Sequence, residues 1–131
     1  MRCRFSDLQD LSNPLNGCVV TSTDVRRILI AVREREPFFA ELISDSGFKL
    51  LLGLGTFEGC AQFGPSNGEP PYLMAMTSDP QEPDREMCFL INDTATDVPG
   101  RYRLPCEAVL EVTEAFVETG QRDERVAWEQ I

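Results

Sequence analysis

The sequence predicts an α+β fold: an antiparallel meander sheet of about five to six strands, flanked by one N-terminal and one C-terminal helix. Two observations carry this. Apolar residues recur with helical spacing only around residues 21–36 and 105–120, and with a period of two between them. The strand-sized runs in that middle stretch are separated by turn-length loops with no helix, so they pair most simply as neighbours in an antiparallel sheet. The length, 131 residues, is close to the usual size of one domain, assigned here to 1–131 with residues 1–16 poorly defined.

In chain order, Cys18-Val19-Val20 reads as a short strand after the turn cluster Asn13–Gly17. Thr21 and Asp24 have capping-box spacing, and Val25, Ile28, Leu29 and Val32 then line one helical face. Pro37 sets the limit of that helix. Arg26, Arg27, Arg33, Glu34 and Arg35 are read as its solvated side. Strands follow at Phe38–Ile43, Phe48–Leu54, Cys60–Phe63, Tyr72–Thr77 and Met87–Ile91, with Gly55–Gly59 read as a turn. Asn92–Gly100 reads as a long polar connection and Arg101–Leu104 as an edge strand. The second helix has Pro105 in its first turn and Gly120 at its C-cap. Val109, Val112 and Phe116 form its apolar side. Trp128 is expected to anchor the terminal segment by packing.

Twenty-two acidic residues against twelve basic ones give a formal charge of −10, and histidine is absent. Such a surface is repelled by phosphate backbones and anionic lipid and attracts basic partners. General acid–base chemistry near neutral pH most often uses histidine, so the chain is expected to bind rather than catalyse. Carboxylates, cysteine or lysine can replace histidine in principle. No run approaches the ~18 apolar residues of a membrane span, and the N-terminus lacks a signal-peptide core. A cytoplasmic chain without membrane or direct nucleic-acid contacts is therefore expected.

Five cysteines, widely spread and without a C-x-x-C pair, read as reduced thiols. Without histidine their spacing suits no zinc site. Nucleotide-binding glycine motifs and H-E-x-x-H are absent. Asp79, Glu82 and Asp84 share a loop, yet lack calcium-loop spacing. No metal, cofactor or catalytic residue is assigned.

The candidate partner-binding residues are carboxylates on loops: Glu58, Glu69, Asp79, Glu82, Asp84, Asp93 and Asp97. Loops extending from a rigid sheet are usual carriers of binding. The competing surface is the stripe Glu107, Glu111, Glu114 and Glu118 on the last helix. A different class of function is a small ligand-binding or enzymatic domain with a closed pocket beneath the loops. That pocket would be lined by residues such as Phe39, Leu51 and Met74 and would hold a buried carboxylate. A third is an inhibitor of some other basic enzyme, such as a ribonuclease.

From about Gly17 to Ile131 the chain resembles the first immunity-protein family of bacterial polymorphic toxin systems. The matching elements are the helix at Thr23–Val32, the hairpin Phe48–Gly55, Gln62-Phe63 before a glycine-containing loop, and Pro71-Tyr72-Leu73. The ending matches too: Leu104-Pro105, Phe116-Val117-Glu118-Thr119-Gly120 and Val126-Ala127-Trp128-Glu129. The resemblance implies an α+β protein that neutralises a toxin encoded by the adjacent gene, commonly a cytosine deaminase acting on nucleic acid. It implies no residue-level inhibitory site.

Overall fold

The computed structural model describes residues 2–33 and 36–131. Glu34 and Arg35, assigned from sequence to the solvated side of the first helix, lie outside them. The elements run β1 (Cys3–Asp7), β2 (Val19–Val20), α1 (Ser22–Val32), β3 (Phe38–Ser44), β4 (Phe48–Leu54), β5 (Glu58–Pro65) and β6 (Leu73–Met76). They continue with β7 (Met87–Ile91), β8 (Thr94–Val98), a 3-10 turn (Gly100–Tyr102), β9 (Leu104–Pro105), α2 (Cys106–Thr119) and β10 (Ala127–Gln130).

The expected meander is present. Strands β3 to β6 are antiparallel neighbours, from Phe38↔Leu54 through Leu54↔Gly59 to Gln62↔Met74. Because side chains alternate across a strand, β4 sends Leu50, Leu52 and Leu54 to one face, where they meet Ala40, Leu42, Ala61, Phe63 and Ala75. Leu51 goes to the other face with Phe39, Cys60 and Met74.

The sheet holds more strands than expected, in the order β10-β6-β5-β4-β3-β1-β2 with β7, β8 and β9 off that path. The segment 1–16 contributes β1, which lies between β3 and β2 with Phe5 fully buried. Its inward face is Cys3, Phe5 and the charged Asp7, so the period-two apolar signal is broken. The buried carboxylate of Asp7 then organises the following loop, accepting the amide hydrogens of Gln9 and Asp10 at 3.0 Å and Asn13 Nδ2 at 3.0 Å. The stretch read as a polar connection contains β8, whose first four residues are exposed. With no apolar face it leaves no periodic signal. The expected edge strand Arg101–Leu104 is instead a 3-10 turn followed by the two-residue β9. The turn read at Gly55–Gly59 is shorter, because β5 already starts at Glu58.

Both helices cover the first face. The Thr21 capping box closes as expected, with Thr21 Oγ1 accepting the Asp24 amide hydrogen and Asp24 Oδ1 accepting that of Thr21 at 2.7 Å. Pro105 is the N-cap of α2, one residue before the helix, and Gly120 ends it with φ +70°. Val25, Ile28, Leu29, Val109, Leu110, Val112 and Phe116 join the first-face core. Trp128 packs edge-on to Phe63 at 6.1 Å and donates its indole hydrogen to the Asp123 carbonyl at 2.9 Å. Strand β10 pairs with β6 along the sheet edge.

The second face is covered by the β7–β8 hairpin, joined to β3 at a single parallel register pair, Phe38↔Leu90. Phe89 meets Phe39 at 5.2 Å between ring centroids. Beside the hairpin a groove of about 420 Å³ remains. No helix among the described residues is long and apolar enough to cross a membrane.

Candidate functional site

At the end of the sheet where β4 turns into β5, two backbone segments meet. One is the turn carrying Phe57 and Glu58. The other is the connection from β6 to β7, residues 77–86, rich in acids and prolines. They border a hollow of about 540 Å³, lined by Phe57, Glu58, Asp79, Glu82, Arg85, Arg103 and neighbouring residues. Glu58, Asp79 and Glu82, far apart in sequence, are thereby brought together. Asp84 is exposed in the same connection.

Arg103 holds the two segments in place. It is 5% exposed. Its Nε donates to Glu58 Oε2. Nη1 donates to the carbonyls of Gln81 at 2.5 Å and Glu82 at 2.6 Å, and Nη2 to that of Arg85 at 2.7 Å. A guanidinium presents five donors in a fixed plane, so one side chain can fasten several acceptors at once. Gly100 completes the seat: a Cβ there would collide with the carbonyl oxygen of Arg85 and lie 2.7 and 2.8 Å from those of Pro83 and Glu82. The connection therefore wraps its backbone against a residue that has no side chain. Outside it, Arg85 pairs with Glu82 at 2.8 Å and with Glu58 at 3.5 Å. The Arg85 hydrogen bond and its charge hold the Glu82 carboxyl below the usual carboxylate range.

The other loop carboxylates lie elsewhere. Glu69 is exposed in the β5–β6 loop, at the opposite end of the meander. Asp93 sits in the β7–β8 turn, where its carboxylate accepts Gln9 Nε2 at 2.6 Å and its amide donates to Gln9 Oε1 at 2.8 Å. Asp97, on β8, borders the second-face groove. The seven loop candidates thus split into one group of four and three separate positions.

The α2 stripe is partly neutralised within the molecule. Arg26 of α1, read from sequence as solvated, bridges the helices, contacting Glu107 at 2.8 Å and Glu114 at 2.7 Å. Glu111 and Glu118 remain exposed beside Glu114, in a shallow depression that also includes Arg125.

The groove on the second face is lined by Phe39, Leu51 and Met74, as expected for the ligand-binding alternative, together with Cys60, Val98 and Tyr102. It is open rather than closed, and its one side-chain carboxylate, Asp97, is exposed. Burial pushes the Cys60 thiol up to about 12, so it holds its proton at neutral pH and is a poor nucleophile. Among the described residues no group of three or more metal-ligating side chains is gathered. All five cysteines are free, with Cys18 and Cys88 exposed and the rest buried.

Sequence reasoning missed Arg103, Gly100 and Phe57. Arg103 stands between the buried Tyr102 and Leu104, and only the proximity of a distant loop reveals its role. Phe57 is 85% exposed, which no local pattern announces.

A family model described as Immunity protein Imm1 matches residues 18–130. No curated protein matches the chain.

Proposed function

This chain belongs to the Imm1 immunity-protein family, and from that membership we propose that it neutralises a cognate cytosine deaminase that acts on nucleic acid. The inhibitory act in this reading is binding, not chemistry. The platform of Glu58, Asp79, Glu82 and Asp84 lies over the toxin's basic substrate cleft, and the whole chain, 1–131, serves this purpose in the cytoplasm.

The observation that supports this reading is the convergence of those carboxylates on one fastened platform. Clefts that bind nucleic acid are electropositive, since the phosphate backbone dominates their affinity. A chain of net charge −10 approaches them quickly. Asp79 and Asp84 make no ion pair among the described residues, so their charge stays available to a partner. Arg103 and Gly100 limit the freedom of the 81–85 backbone, which lowers the ordering cost of binding. Internal pairing does not separate this platform from the α2 stripe: Arg103 and Arg85 hold Glu58 and Glu82 as Arg26 holds Glu107 and Glu114. What distinguishes the platform is the fastened connection that displays it.

The test is co-expression with the toxin domain encoded by the adjacent gene, followed by measurement of association rate against salt. Charge reversal at Asp79, Glu82 and Asp84 is expected to slow association and flatten its salt dependence. Reversal at Glu111 and Glu118 is expected to leave both nearly unchanged. If neither set alters the kinetics, the electrostatic account fails even where cells are rescued. The second-face groove favours a second reading, in which an apolar small molecule occupies it; failure of a panel of apolar fluorophores to bind there would remove that reading.

A further inference from the structure

Phe57 is the most exposed large apolar side chain on the described surface, at 85%, ahead of Leu11 at 64% and Ile131 at 56%. Scattered exposed apolar residues are ordinary, but this one is placed unusually. Its backbone is held on both sides. The Gly55 amide donates to the Glu58 carbonyl at 2.9 Å and closes the turn, while the Cys106 amide at the start of α2 donates to the Phe57 carbonyl at 2.9 Å. The next residue, Glu58, pairs with Pro105 in the β5–β9 ladder. The backbone beneath the ring is thus already ordered, so only the side-chain torsions of Phe57 remain to be fixed when a partner buries it.

The surroundings of the ring are anionic. Phe57 shares its hollow with Asp79 and with Glu58 and Glu82, which Arg103 and Arg85 pair. The net negative charge there comes from Asp79 together with Asp84 and Glu86, exposed in the adjoining connection. One planar ring standing among carboxylates has the chemical pattern of a single unstacked base between phosphates. Enzymes that modify a base draw it out of the stack into a fitted pocket lined by aromatic and apolar side chains. Single strands are held by stacking on aromatic groups together with cationic contacts to the backbone. We propose that Phe57 occupies the toxin's base pocket in place of the extruded base, with Asp79 and Asp84 meeting the cationic groups that otherwise hold the flanking phosphates.

This inference rests on the reading that the partner acts on a nucleic-acid base, and the experiment separates the two. The toxin domain is titrated with the wild-type chain and with Phe57→Ala, Phe57→Leu and Phe57→Trp. Dissociation rates are measured, and each complex is challenged with a short cytosine-containing single-stranded DNA. Phe57→Ala is expected to dissociate about 30-fold faster, the loss typical of a central aromatic anchor. Phe57→Trp, which keeps a planar ring, stays within about threefold of wild type, and Phe57→Leu falls towards Phe57→Ala. The DNA competes with the wild-type chain for the toxin. An unchanged dissociation rate for Phe57→Ala, full binding by Phe57→Leu, or a ternary complex of toxin, DNA and this chain would each overturn the proposal while leaving neutralisation intact. A wild-type chain that neither binds nor protects overturns the underlying reading as well.

Discussion

Replacing Arg103 with methionine removes the guanidinium but keeps most of the apolar stem. Four hydrogen bonds are lost: those to the carbonyls of Gln81, Glu82 and Arg85, and the charged one to Glu58. Bonds that involve a charged group contribute about 1.5–3 kcal/mol each when fully buried. Here the gross sum overstates the effect. The Glu58 side chain is 32% exposed, and the 81–85 carbonyls regain water once the connection lifts. A net loss of about 3 kcal/mol follows, at the lower end for breaking a buried ion pair. With an unfolding entropy of about 2.1 cal/mol/K per residue, the thermal midpoint of this 131-residue chain falls by about 11 °C. Arg103→Lys keeps the charge but cannot reach all four acceptors in one plane, so it recovers less than half of the loss. Thermal and urea unfolding by circular dichroism give the stability, and amide exchange across residues 79–86 reports the connection. A methionine variant within about 0.5 kcal/mol of wild type, with those amides still protected, would refute the reasoning.

Gly100→Ala drives a Cβ into the carbonyls of Arg85, Pro83 and Glu82; it should destabilise the chain by about 2 kcal/mol and weaken toxin binding, read by urea unfolding and a binding titration. At pH 8, a thiol reagent should modify Cys18 and Cys88 quickly, while Cys3 and Cys60, buried and pushed up to about 12, react only after unfolding. Fast labelling of Cys60 in the folded protein would show that the second face opens readily. The Asp123 carboxyl, which accepts the Arg125 amide at 3.0 Å and its guanidinium at 2.8–2.9 Å, titrates below its ordinary value of 3.8 in the folded protein. A depressed acid stabilises the fold above its unfolded pKa and loses that contribution as pH falls through its folded pKa. Wild type should therefore exceed Asp123→Asn by about 1 kcal/mol at pH 7, discounted because Arg125 is largely exposed. The gap should close below about pH 4, as followed by urea midpoints across pH.

The elements that were legible in sequence are those with a long periodic signal. The α1 face Val25–Val32 and the β4 alternation Leu50, Leu52, Leu54 each repeat often enough to fix a register, and the Thr21 box and Gly120 mark ends through local chemistry. Strand β1 was invisible because one of its three inward positions is the charged Asp7, which leaves only Cys3 and Phe5 as an apolar alternation. Strand β8 was invisible because Thr94, Ala95, Thr96 and Asp97 are exposed, so pairing to β7 alone creates it. The candidate site divides the same way. Glu58, Asp79 and Glu82 were chosen for residue type and loop position, properties of one residue and its neighbours. Their convergence depends on Arg103, which acts across 18 to 45 residues of chain. A buried arginine between Tyr102 and Leu104 carries no local mark of such a partner.

Arg103 grips the 81–85 connection by carbonyl oxygens, and every amino acid has one. Side chains along that stretch are therefore exchangeable at little structural cost, apart from Glu82, whose φ of +45° excludes β-branched residues. A fixed clamp beneath replaceable lettering would, on the proposed reading of this surface, allow it to be rewritten for a new toxin while the backbone that displays it stays where it is.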